Sequence, residues 1–310
     1  MNHPGEIDAL VRLVRPHVAL VTTVEAVHTE FFADGIEGVA RAKAEIFAAG
    51  GEAAVLPCDN RFFAFLEDRA REAGFARILG FGAGESAHAR VLDARLDATG
   101  SDIAAMVGRR AVSYRIAAAG RHWVTNSLAV LAAVDALGGD VGAAAASLAE
   151  LVPPKGRGRR HVIRRSGGNV LLIDDSYNAS PPSMRACFEV LAATAPGPGG
   201  RRIAVLGDML ELGAAAPALH EGLAADLVAR GIDVVFSCGP NMARLHAILP
   251  AAMRGGHAPD STRLLPLVRA ALRAGDVVAV KGSLGSRMGP IVAALLADGD
   301  RNGAPRRAAG

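Results

Sequence analysis

N-V-L-L-I-D-D-S-Y-N-A-S-P-P-S-M, residues Asn169 to Met184, joins a strand, an acidic turn and a helix start. Val170 to Ile173 is a short, wholly apolar run of the kind buried on both faces of a parallel sheet. Asp174 and Asp175 follow at its carboxyl end, where open α/β sheets bind ligands. Ser180 before Pro181 and Pro182 reads as an N-cap followed by proline at the first helical positions. The backbone N–H groups of such a helix start can receive an anion. Alone, the segment could equally be an acidic turn between two structural elements.

Two later strands end in the same way. Ile203 to Leu206 runs into Gly207-Asp208-Met209, and Val277 to Val280 runs into Lys281-Gly282-Ser283. One sheet is therefore expected to carry Asp175, Asp208 and Lys281 at matching strand ends, with Gly207 and Gly282 allowing close backbone approach. Carboxylates and an ammonium beside helix N-termini suit a nucleotide phosphate with its metal ion. Further strands are expected near Val234 and Arg263, with helices between, which makes the second half a doubly wound α/β domain.

The chain has 310 residues, enough for two domains with cores of their own. No apolar run is long enough to span a membrane, and no secretory leader pattern opens the chain, so a cytoplasmic location is expected. Cys58, Cys187 and Cys238 are widely spaced and form no metal-ligand pair. Net charge is +3 and no basic run is interleaved with aromatics, which argues against nucleic acid as a partner. Of the 34 basic residues all but Lys43, Lys155 and Lys281 are arginine, so each lysine raises the question of what only an amine could do.

In the first half, Met1 to Leu13 reads as a turn and a helix, and Val18 to Val24 as a buried strand. His28 lies just past that strand between Glu25 and Glu30, and Lys43 sits in a helix from Glu37 to Ala49. Neither residue type is diagnostic in isolation. Ala53 to Pro57 and Arg77 to Phe81 are expected strands flanking a helix from Asn60 to Ala73. Val91 to Ala117 reads as a small antiparallel excursion, followed by a helix from Arg121 to Ala136. No G-x-x-x-x-G-K-[ST] phosphate loop occurs, and Gly80 to Gly84 lacks the spacing of a dinucleotide fingerprint. Leu151 to Arg160, with two prolines and two glycines, is the candidate interdomain hinge.

D-D-S-Y-N-A-S-P-P-S-M, V-L-G-D-M-L-E-L-G (Val205 to Gly213) and V-K-G-S (Val280 to Ser283) together resemble the Mur ligases. V-E-A-V-H-T-E-F-F, R-A-K-A-E-I-F, the Arg121 to Ala129 segment and Gly156-Arg157 resemble further motifs of that family. The resemblance implies an incomplete central ATPase-type domain, residues 1–155, then a Rossmann-like C-terminal ligase domain, residues 156–297; the polar, glycine-containing tail, 298–310, is expected to be disordered. It implies a monomeric, ATP- and Mg2+-dependent amide ligase acting through an acyl phosphate. The expected substrates are UDP-N-acetylmuramoyl-tripeptide and D-Ala-D-Ala, for peptidoglycan precursor synthesis. By the same resemblance His28 and Lys43, the latter as a carbamate, organise magnesium. Adding CO₂ turns an ammonium into a carboxylate-like ligand, which a guanidinium could not become. Asn126 and Arg157 would hold the nucleoside, Asp175 and Lys281 would approach from the C-terminal domain, and Tyr177 and Asn178 would face substrate.

The resemblance runs from Asn2 to about Ala297 and begins inside the family's central domain. The UDP-substrate domain, the phosphate loop and a magnesium-binding glutamate are missing from it, so low activity is expected of this chain. Trp123 and Ser180 each replace an asparagine of the family pattern. Two alternatives stand beside this reading. One is another amide ligase of the superfamily, such as a folylpolyglutamate synthase, against which D-D-S-Y-N argues. The other is a non-catalytic remnant or interaction protein.

Overall fold

The computed structural model describes the chain apart from Asn2, His28, Ser166 and residues 304–310, with residues 300–303 described for their backbone only. It divides into two compact units: Met1–Leu151 with Glu211–Gly213, and Val152–Leu210 with the residues from Ala214 onward.

The first unit runs α1 (Glu6–Val14), β1 (Val18–Leu20), α2 (Gly35–Ala44), β2 (Ala53–Pro57), α3 (Phe63–Glu72), β3 (Arg77–Gly82), β4 (Ala89–Leu96), β5 (Ser101–Val107), β6 (Arg110–Ile116), α4 (Arg121–Ala136) and α5 (Val141–Ser147). Its sheet has the order β1-β2-β3-β4-β5-β6, parallel as far as β4 and antiparallel beyond it. β2 is buried at all positions because both faces are covered. Ala53 and Val55 point to a core built with Val124, Leu128, Leu131 and Ala132 of α4. Ala54 and Leu56 point the other way, to a core with Val39, Leu66, Phe47 and Phe75. β5 buries alternate residues, Ser101, Ile103, Ala105 and Val107, as one-sided antiparallel strands do. The antiparallel excursion and the bounds of α4 are thus as expected. Two expectations are corrected. Strand pairing stops at Leu20 rather than Val24, although Val21 still donates from its N–H to Val55 O at 3.0 Å. The helix expected over 37–49 ends at Ala44 and continues only as a 3-10 turn, Glu45–Phe47.

The second unit runs β7 (Arg159–Arg165), β8 (Gly168–Asp175), α6 (Pro181–Ala193), β9 (Arg202–Gly207), α7 (Ala216–Glu221), α8 (Leu223–Ala229), β10 (Val234–Cys238), α9 (Pro240–Ile248), β11 (Arg254–Ala258), α10 (Ser261–Ala271), β12 (Val277–Lys281) and α11 (Gly289–Gly303). Strand order is β11-β10-β9-β12-β8-β7, all parallel except the β7 edge. α6 packs on β9 and β12 and against α8, while α10 packs on β10 and β11 and against α11. The sheet is doubly wound, as expected, and its central strands are apolar throughout: Val277 to Val280 are all buried.

Three corrections apply here. The strand expected near Arg263 is α10: Ser261, Leu264 and Val268 are buried at helical spacing, and Asp260 caps the start by accepting from Arg263 N at 2.9 Å. The strand instead lies at Arg254–Ala258. The end of the expected hinge is β7, whose Arg159 pairs with Asp174. α11 reaches Gly303, so residues 298–303 of the expected tail are helical, and residues 304–310 lie outside the described chain.

Candidate functional site

In the second unit the three singled-out strand ends do converge. β8 and β12 pair in parallel with Asp175 beside Lys281, and β12 pairs with β9 so that Lys281 neighbours Leu206. Lys281 Nζ donates to Asp175 Oδ2 at 2.7 Å and to Asn178 O at 2.9 Å. Burial pushes the Asp175 carboxyl above the usual carboxylate range, while the Lys281 ammonium and the Arg157 guanidinium pull it down. Lys281 and Asp175 are therefore each other's first partner, and Lys281 also ties down the loop that carries Asn178.

The other strand-end groups are likewise engaged. Asp208 Oδ1 accepts from Met242 N at 2.8 Å and Oδ2 from Asn241 N at 3.2 Å, capping α9. Ser283 Oγ accepts from Leu210 N at 2.9 Å, and Ser286 Oγ donates to Asp208 O at 2.8 Å. Gly207 and Gly282 both leave room for Met288: a Cβ on Gly207 would lie 2.7 Å from Met288 Sδ, and one on Gly282 2.6 Å from Met288 Cγ and 3.0 Å from Gly207 Cα. Asp174, fully buried, accepts from Ser176 Oγ at 2.6 Å and from Gly156 N at 3.0 Å. Through it the Gly156–Gly158 turn is fastened to the end of β8. The Arg157 guanidinium stacks over the Tyr177 ring, 4.5 Å from its centroid. Ser180 begins α6 as its N-cap, its N–H held by Ser183 Oγ at 2.9 Å. Cys187 on α6 is buried and its thiol is pushed up to about 12, which leaves it inert.

In the first unit Lys43 occupies the last turn of α2 and is half-buried. Burial pushes its ammonium below the usual lysine range, with the Glu25 carboxylate pulling the other way. A lysine with a lowered pKa spends more time as the free amine, the form that adds CO₂. His28, expected beside it, lies outside the described residues. Among those described, no group of three or more His, Cys, Asp or Glu side chains is placed to hold a metal. Glu25, whose charge acts on Lys43, accepts from Thr23 Oγ1 at 2.9 Å. Asn126 is half-buried on α4. It is absent from the wall of a cleft of about 380 Å³ formed by Arg121, Val124, Thr125 and Leu128 of α4 with Asp59, Gly82 and β4.

Sequence reasoning missed a second cleft, of about 610 Å³, in the second unit. It lies between Asp208 after β9, Gly239-Pro240 after β10, Asp260 to Arg263 opening α10, and Gly285 to Arg287 after β12. β9 and β12 are the adjacent strands whose following helices leave for opposite faces, so this is the topological switch point. Asp260 and Arg263 belong to the segment misread as a strand, which hid them. Among the described residues no helix is long and apolar enough to cross a membrane.

Both units thus gather polar side chains where open α/β sheets bind ligands, the organisation of a multidomain α/β protein with ligand sites at its strand ends. Residues 1–134 match the Mur ligase middle domain, and residues 158–284 match the Mur ligase glutamate ligase domain. The chain belongs to the Mur ligase family and carries its middle and C-terminal domains. It is 34% identical to the UDP-N-acetylmuramoyl-tripeptide–D-alanyl-D-alanine ligase of Escherichia coli K12, covering 96% of this chain and 64% of that protein. The same ligase of Rickettsia prowazekii is 28% identical, covering 94% of this chain and 64% of that protein. A crystal structure of MurF from Acinetobacter baumannii superposes with a TM-score of 0.81 at 28% identity, over 96% of this chain and 63% of that one. The chain therefore spans just under two thirds of the length of these relatives.

Proposed function

We propose that this chain supplies the metal-organising and nucleotide-gripping parts of a cytoplasmic, ATP-dependent amide ligase. Its reaction joins D-alanyl-D-alanine to UDP-N-acetylmuramoyl-tripeptide during peptidoglycan precursor synthesis. The names of the relatives support this substrate pair over that of another amide ligase of the superfamily. When bound, ATP with Mg2+ would supply the phosphoryl group that activates the tripeptide carboxylate, to be displaced by the dipeptide amine.

The residues divide the work in this reading. Lys43, as a carbamate, and Glu25 provide oxygen ligands in the middle domain, joined by His28. Asn126 holds the base and Arg157 the ribose. Asp175 and Lys281 set the charge at the strand ends of the C-terminal domain, and Asn178 is fixed beside them for substrate. The two domains are taken as 1–155 and 156–297. The protein supplies orientation and charge neutralisation, and no covalent enzyme intermediate is required.

The observation that carries the proposal is the match of both halves of the chain to the Mur ligase middle and glutamate ligase domains; for Lys43 it is its half-buried place in the last turn of α2. The test is 13C NMR of the protein in 13C-bicarbonate, with ADP formation measured in the presence of both substrates. A carbamate carbonyl resonance is expected in the wild type and absent in Lys43→Arg, whose guanidinium offers no free amine to add CO₂. A resonance unchanged in Lys43→Arg would overturn the assignment, as would ligation by the wild type that Lys43→Arg leaves undiminished.

A further inference from the structure

Tyr177 sits in a motif that suggests contact with substrate, yet its ring is already occupied. The Arg157 guanidinium lies over it at 4.5 Å from the centroid, while the Tyr177 hydroxyl makes no hydrogen bond among the described residues. The backbone brings the two together. Tyr177 N donates to Gly156 O at 3.1 Å, Gly156 N to Asp174 Oδ2 at 3.0 Å, and Gly158 N to Asp174 O at 2.8 Å. Gly156 has φ +76°, and a Cβ there would lie 2.8 Å from Tyr177 Cβ, so only glycine lets the turn settle this close.

We propose that Tyr177 is a positioning residue, which holds the Arg157 guanidinium in one orientation for nucleotide. Arg157 is exposed in a turn, where a long side chain would otherwise spread over many rotamers. Stacking engages the face of the guanidinium and leaves its in-plane N–H donors free for ribose hydroxyls or phosphate oxygens. The Arg157 charge also helps to pull the Asp175 carboxyl down. What this arrangement requires of residue 177 is an aromatic face and not a hydroxyl. The proposal rests on the reading of Arg157 as a nucleotide contact.

The experiment compares wild type, Tyr177→Phe and Tyr177→Leu by two readouts. The first is the Arg157 Nε–Hε NMR signal without nucleotide; the second is the affinity for ADP with Mg2+ by calorimetry. Wild type and Tyr177→Phe should share a ring-shifted, motionally restricted Arg157 signal and bind ADP alike. Tyr177→Leu should lose the ring shift, gain mobility and bind ADP about two- to fivefold more weakly. Tyr177→Phe as impaired as Tyr177→Leu would overturn the proposal in favour of a role for the hydroxyl. An Arg157 signal equally restricted in Tyr177→Leu would overturn it outright. Restriction of the Arg157 signal that Tyr177→Leu releases and Tyr177→Phe keeps upholds the positioning role even where no form binds ADP, a result that instead defeats the nucleotide reading of Arg157.

Discussion

Lys281 and Asp175 stand beside each other across the β8–β12 ladder, with the ammonium 2.7 Å from the carboxylate and Lys281 only 3% exposed. The pair ties two adjacent strand ends at the point where the C-terminal domain is expected to meet its ligand. Removing the cation leaves a largely buried carboxylate without its partner. Lys281→Met should lower stability by about 3 kcal/mol in urea unfolding at neutral pH. Adding Asp175→Asn should recover most of that loss, because no orphaned charge remains. A double variant no more stable than Lys281→Met would show that the packing of the lysine stem matters more than the charge.

Asp208 resembles a metal ligand in its motif but caps α9 through two backbone N–H groups. Asp208→Ala should cost about 1–2 kcal/mol in thermal or urea unfolding, and Asp208→Asn less, since it keeps one acceptor. Unchanged stability in Asp208→Ala would mean that the carboxylate is free for another task.

His220 is fully buried, its Nδ1–H donating to Ala216 O at 2.6 Å and its Nε2 accepting from Met209 N at 2.9 Å. Burial pushes its pKa below the ordinary 6.5, against the pull of the backbone carbonyl of Ala216 and of Asp208. The unfolded chain therefore binds a proton that the folded chain refuses. Its contribution is fully present above about pH 6.5 and lost as pH falls toward the folded pKa. Wild-type stability should fall more steeply between about pH 6.5 and 5 than that of His220→Gln, measured by urea unfolding. His161, His246 and His257 also have lowered pKa values but are common to both proteins, so equal slopes would count against His220 as a source.

Gly156 and Gly158 both have positive φ, +76° and +83°, but only a Cβ at 156 meets a neighbour. Gly158→Ala should cost about 1 kcal/mol for its left-handed backbone. Gly156→Ala should cost more, by roughly another 1–2 kcal/mol for the clash with Tyr177. Equal losses in urea unfolding would mean that the turn can move away from the tyrosine.

What was legible in the chain follows from local physics. The apolar run Val170 to Ile173 and its counterparts before Asp208 and Lys281 read as buried parallel strands because both of their faces are covered. Ser180-Pro181-Pro182 marked the start of α6, and the alanine-rich run from Arg121 marked α4. Segments failed where local signals were weak or misleading. Arg254–Ala258 contains two glycines, so it lacks the pattern of a strand and forms one only because β10 offers an unpaired edge. Ser261–Ala271 carries Pro266 inside a helix that survives through its Asp260 cap and its buried Leu264 and Val268. The arginines of β7 disguised an edge strand as a basic hinge.

Local sequence by itself determined that Asp175, Asp208 and Lys281 would stand at the carboxyl ends of β8, β9 and β12, since each follows an unbroken apolar run within two residues. Tertiary structure alone decided what those residues touch. That Lys281 meets Asp175, that Asp208 caps α9, that Arg157 lies on Tyr177 and that Lys43 is desolvated near Glu25 all depend on strand order and register. Each contact joins segments far apart in sequence or turns on how deeply a side chain is covered, and neither is written in the spacing of residues along one strand.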